Sequence, residues 1–289
     1  MMRILAGLGA LLLFVSGAWF NREGLTLAYF AAKTEKRTLA EQKALIAPFT
    51  HVFMPATGKP PYPAVVQFHG CAGYRADFME QWAKVATDAG YLVIAVDSNG
   101  ARGIEREEAL SSVCEGKVLI GQERAGDIAA SLALAAERND VDREKIIAAG
   151  WSHGAWSLMD YMALETAGKR PPSLKDSPDA VDPAGVILFY PYCGEGSWSR
   201  LNRWSTKAPV LAFVAGKDTI VDGPQCRAQF EKMKREGTPV DLVYYENADH
   251  VFDDAALADG EFKAYYSPAD AADAAARYAR LLDQVRNRP

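Results

Sequence analysis

Short apolar runs alternate with longer amphipathic segments from residue 63 onward, and no other feature of the sequence restricts the fold as tightly. Ala64–Phe68, Tyr91–Val96, Ile146–Gly150, Gly185–Phe189 and Val210–Val214 are each five or six residues long and almost free of polar positions. Runs of that kind suit strands covered on both faces, as in a parallel sheet between helical layers. Phe78–Ala89, Gln122–Glu137, Gly154–Glu165, Pro224–Glu236 and Pro268–Val285 have helical length, and Val240–Tyr245 reads as a further strand. The alternation predicts βαβ units in an α/β fold: a doubly wound, mostly parallel sheet flanked by helices, with right-handed crossovers. Two irregular stretches, Asp97–Gly121 and Thr166–Pro183, interrupt the rhythm. No repeat, linker or low-complexity tract appears, so residues 63–289 read as one domain without a large separate cap.

The preceding residues have a different character. Arg3, an apolar run from Ile4 to Val15 and the small residues Ser16-Gly17-Ala18 have the layout of a secretory signal peptide over residues 1–18. The apolar run continues through Trp19 and Phe20, which makes an uncleaved membrane anchor the alternative. Residues 19–62 read as an N-terminal extension, with a helix over Lys33–Leu45 and a short strand over Phe49–Met54. Export implies an oxidising compartment, where the four cysteines Cys71, Cys114, Cys193 and Cys226 are expected to form two disulfides. Four cysteines permit three pairings, and spacing does not choose among them.

The sharpest local signal is Gly150-Trp151-Ser152-His153-Gly154, a G-x-S-x-G match between a predicted strand and a predicted helix. Such a turn lifts a serine hydroxyl above the carboxyl end of the sheet, over a helix N-terminus that favours developing negative charge. A serine needs a base, and His250 follows the strand Val240–Tyr245 in the loop Asn247-Ala-Asp-His-Val-Phe. His153 reads as a packing or pocket residue, and His51 as part of an edge strand. The base needs a carboxylate to hold its tautomer. Asp218, in Gly216-Lys-Asp at the end of Val210–Val214, is the leading candidate, with Asp222 second. Two backbone N–H groups should hold the substrate oxygen. The amide of His153 and that of Cys71, in the loop His69-Gly-Cys-Ala-Gly73, are the candidates.

Other chemistries lack their residues. Each Gly-Lys pair lacks a following Ser or Thr, so there is no phosphate loop, and no H-E-x-x-H motif exists. Neither a metal nor a cofactor is expected. With 32 basic and 37 acidic residues, a net charge of −5 and no basic cluster, nucleic acid is not an expected partner. A membrane partner is expected only if the N-terminal segment stays uncleaved.

In this order the motifs resemble the α/β-hydrolase superfamily and, more narrowly, exported members of the dienelactone hydrolase family. The resemblance rests on HGCAG at 69–73, VDS at 96–98, GWSHG at 150–154, FYPYCG at 189–194, GKD at 216–218 and ADHVFD at 248–253. It implies a hydrolase acting on ester or lactone bonds of small molecules. Founding members of the family carry cysteine as nucleophile where this chain has Ser152, and serine favours general carboxylester chemistry. The resemblance also implies the disulfides Cys71–Cys114 and Cys193–Cys226, the second bracing the Asp218 loop. Tyr190, Tyr192, Trp198 and Trp204 could line an acyl pocket, and Arg102 or Arg106 could attract an anionic substrate. The expectation is therefore an exported serine hydrolase with Ser152, Asp218 and His250 as triad. Its rivals are an amide hydrolase of exopeptidase type and a non-catalytic binding protein on the same scaffold.

Overall fold

The computed structural model describes residues 22–177, 181–259 and 263–288. Seven strands form one sheet: β1 (Thr50–Phe53), β2 (Tyr62–Phe68), β3 (Leu92–Val96), β4 (Val141–Trp151), β5 (Gly185–Phe189), β6 (Val210–Ala215) and β7 (Val240–Tyr245). Their spatial order is β1-β3-β2-β4-β5-β6-β7. All neighbours run parallel except β1, which pairs antiparallel with β3 at one edge.

The helices lie on both faces. Val66 and Phe68 of β2 point to a core shared with α2 (Leu39–Ile46), α5 (Gly121–Ala136), α6 (His153–Thr166) and α8 (Gly223–Arg235). Val65 points to the opposite core, which contains Trp82 of α3 (Ala76–Asp88) and Tyr278 and Leu282 of α9 (Pro268–Arg286). Consecutive strand residues are thus buried on alternate faces, which is why these runs lack the polar alternation of a one-sided sheet. The helix α4 (Arg106–Ser111) and the single turn α7 (Trp198–Leu201) are shorter. The stretch Asp97–Gly121 contains α4 and builds no separate cap.

Topology places the site. From β2 the chain crosses to β3 on one side, and β4 then lies on the other side of β2. Loops leaving the carboxyl ends of β2 and β4 therefore diverge and leave a crevice, the position where open α/β sheets bind ligands.

The N-terminal region differs in detail from its expectation. The predicted helix Lys33–Leu45 is instead two helices, α1 (Arg22–Lys33) and α2. Thr38 breaks the run because its hydroxyl accepts from the Glu41 N–H, while the Glu41 carboxylate accepts from the Thr38 N–H. The predicted signal segment 1–18 lies outside the described residues. Among the described residues, no helix is long and apolar enough to cross a membrane. Cys71 is bonded to Cys114 and Cys193 to Cys226. The second bridge ties the loop after β5 to α8, the helix that follows Asp218.

Candidate active site

Ser152 sits between β4 and α6 with φ 51° and ψ −113°, a positive-φ conformation that non-glycine residues seldom adopt. The flanking glycines make that turn possible. A Cβ on Gly150 would lie 2.6 Å from the Ala155 nitrogen, and one on Gly154 would lie 2.2 Å from the Phe68 carbonyl oxygen. The Ser152 N–H still donates to Phe189 O at 2.9 Å, so the strained residue is anchored to β5. Its hydroxyl lies 3.0 Å from His250 Nε2.

His250 is held from its other nitrogen. Nδ1 is 2.7 Å from Asp218 Oδ2, while Asp218 Oδ1 accepts N–H bonds from Ile220 at 2.9 Å and Val221 at 2.8 Å. The Asp218 side chain is fully buried. With Asp218 ionised, Nδ1 carries the proton and Nε2 offers a lone pair to the Ser152 hydroxyl. Asp222 is elsewhere engaged: it caps α8 by accepting from the Gln225 N–H. Asp249 pins the two loops together, since its Oδ1 accepts from the Thr219 N–H, the Thr219 hydroxyl and the His250 N–H.

The HGCAG loop lies against the elbow. A Cβ on Gly70 would sit 3.6 Å from Ser152 Cβ. The Cys71 carbonyl is turned onto the Asn99 side-chain amide at 3.0 Å. Beneath the loop lies Arg124 of α5, wholly buried, which motif reading missed. It donates to His69 O at 2.8 Å, to His153 Nδ1 at 3.0 Å and to Ser98 Oγ at 3.0 Å, joining loop and elbow. Burial pushes the Arg124 guanidinium down to about 10, so it stays charged at neutral pH. Burial, followed by the Arg124 charge, lowers the pKa of His69 and, more strongly, that of His153. The sequence did carry a signal, because Arg124 and Asp127 interrupt an otherwise apolar helix face one turn apart.

Behind His250 lies a second buried carboxylate. Asp253 accepts from Trp82 Nε1 at 3.0 Å, Trp151 Nε1 at 3.2 Å and the Tyr190 hydroxyl at 2.8 Å. The Tyr190 ring packs on His250 with centroids 4.5 Å apart. Asp253→Ala would leave three buried donors unpaired, at about 1–3 kcal/mol each. The expected result is a loss of roughly 3–9 kcal/mol and a melting temperature lower by on the order of 10 °C. Asp253→Asn keeps an acceptor for the indoles and should cost far less. Burial raises the Asp253 carboxyl to about 6. A raised carboxyl contributes stability at low pH that is lost as pH rises through about 6. Thermal melts at pH 5 and pH 8 should therefore show the native chain losing stability relative to Asp253→Asn at the higher pH.

Two clefts meet at Ser152. The larger, about 460 Å³, is bordered by Phe78, Met79, Leu110, Tyr190 and His250. The smaller, about 250 Å³, is bordered by Phe30, Val113, Trp156, Tyr192 and His153. Tyr190 and Tyr192 thus border the clefts, as does Arg106 at the larger one, whereas three other expected pocket residues do not. Arg102 forks onto Asp127, with both nitrogens at 2.9 Å, because a guanidinium this buried requires a carboxylate partner. Trp198 lies on α7, beside a surface hollow that Ser152 does not border, and Trp204 is buried in the core. His51 is exposed on β1 and stacks on Tyr74.

This sheet order, with its nucleophile-type turn and opposed histidine loop, is that of an α/β-hydrolase. The chain belongs to the dienelactone hydrolase family, whose model matches residues 50–286. No curated protein sequence matches it. Among solved structures it is similar to a dienelactone hydrolase-like promiscuous phosphotriesterase from metagenomic libraries. That match has 18% identity and a TM-score of 0.63, covering 82% of this chain and 92% of that one. It is also similar to Thermogutta terrifontis esterase 2 phosphonylated by cyclosarin, at 17% identity and TM-score 0.62, covering 82% of this chain and 88% of that one. At such identities the likeness concerns the fold.

Proposed function

We propose that this chain is an exported serine esterase in which Ser152, His250 and Asp218 form the catalytic triad. The observation that carries the reading is the continuous relay from Asp218 Oδ2 to His250 at 2.7 Å and from His250 to Ser152 Oγ at 3.0 Å. Ser152 Oγ attacks the ester carbonyl carbon while its proton passes to His250 Nε2. The amides of His153, at the N-terminus of α6, and of Cys71 hold the oxyanion. First-turn amides of a helix have no intrahelical acceptor and so are free for this task. His250 then gives its proton to the departing alkoxide, leaving an acyl group on Ser152. Water attacks the acyl-enzyme, again losing its proton to His250, and the carboxylic acid leaves as Ser152 recovers its hydrogen. Cys71 takes no part as a thiolate, since its sulfur is bonded to Cys114. The two disulfides support export, because such bonds persist in oxidising compartments. The test is labelling with a fluorophosphonate followed by peptide mapping. A single adduct on Ser152 is expected, and folded protein that stays unlabelled there would refute the proposal.

A further inference from the structure

The position of His250 tells which end of an ester each cleft accepts. The nitrogen that takes the Ser152 proton must also deliver it to the leaving oxygen, so it has to lie within hydrogen-bond reach of that oxygen. The alkoxy half of the substrate therefore sits on the His250 side of Ser152, and the acyl half sits on the other. His250, Val251 and Asp254 border the larger cleft of about 460 Å³. The smaller cleft of about 250 Å³ is bordered instead by His153 and Trp156, and His250 is absent from its walls.

We propose that the larger cleft holds the alcohol portion and the smaller one the acyl portion, so that the substrates are esters of a bulky apolar alcohol with a compact acyl group. The assignment rests on the serine-esterase reading and deepens it. Phe78, Met79, Leu110, Trp151 and Leu257 give the larger cleft an apolar lining. The charge of Arg75 there is offset by its paired contacts to Asp254 at 2.5 and 2.9 Å. The smaller cleft is shut in by Phe30 of α1 and by Trp156 and Tyr192, whose rings lie 4.9 Å apart. The N-terminal helix α1 thereby acquires a role: its Phe30 limits acyl length.

Octyl acetate and ethyl octanoate test the assignment. They are isomers with the same apolar bulk and comparable alkoxide leaving groups, and they differ only in which side of the ester carries the chain. The structure predicts a kcat/KM for octyl acetate roughly tenfold or more above that for ethyl octanoate, the scale on which apolar pockets discriminate. Phe30→Ala, on a surface helix, should open the smaller cleft and raise turnover of ethyl octanoate several-fold. Leu110→Trp should narrow the larger cleft and lower turnover of octyl acetate more than that of ethyl octanoate. With Ser152 labelled by fluorophosphonate, a ratio near or below one, or cleavage of neither ester, overturns the cleft assignment and leaves the esterase reading intact. Absence of both labelling and hydrolysis overturns the two together.

Discussion

Ser152→Ala is expected to lower kcat/KM for a simple acetate ester by about 10⁵-fold, because triad members act as a unit and the nucleophile has no substitute. Cys71 is spent in a disulfide. Removing one hydroxyl leaves the backbone bond from Ser152 N–H to Phe189 O and the close contacts of Gly150 and Gly154 as they are. Alanine carries the same Cβ as serine at the φ of 51°, so the fold should hold and the melting temperature should barely move. Residual activity would come from the oxyanion-binding amides. A variant that melts like the parent but keeps a tenth of its activity would remove Ser152 from the mechanism.

Asp218→Asn is expected to lower kcat by on the order of 10⁴-fold with little change in substrate binding. The substituted side chain would keep its carbonyl oxygen toward the Ile220 and Val221 N–H groups, the two donors that hold Asp218 Oδ1. Its NH₂ would then face His250 Nδ1 across the former 2.7 Å contact. Two donors do not bond, so Nδ1 must accept and the ring proton must move to Nε2. Nε2 would then present a proton, rather than a lone pair, to the Ser152 hydroxyl. Asp222→Asn provides the contrast. Asn caps a helix about as well as Asp, so the bond to the Gln225 N–H survives and activity should stay within about twofold. Equal damage from both variants would break the assignment of Asp218.

Much of this arrangement was legible from sequence because local rules and tertiary needs agree. Buried parallel strands need unbroken apolar runs, and a serine above a sheet edge needs small residues at Gly150 and Gly154. Loop positions at strand ends then bring Ser152, Asp218 and His250 together despite the 98 residues between serine and histidine. What escaped sequence reading depends on long-range partners. Arg102, a pocket candidate by sequence, is instead bound to Asp127 of α5. Arg124 lies inside a helix of ordinary composition, and only packing shows that it joins His69 to His153. Asp253 looked like the end of a loop motif, yet Trp82, Trp151 and Tyr190 converge on it from three elements. The break between α1 and α2 was visible in Thr38 and Glu41, whose spacing fits a capping box. The cleft role of Phe30 had no local signature.

In the proposed mechanism catalysis passes through an acyl group on Ser152 that His250 both forms and removes. Acid-quenching the protein during turnover of an acetate ester and mapping its peptides by mass tests this directly. Acetyl is expected on Ser152 and is expected to be absent from Ser152→Ala. Turnover with no acylated peptide, or with the acyl group on another residue, would contradict it.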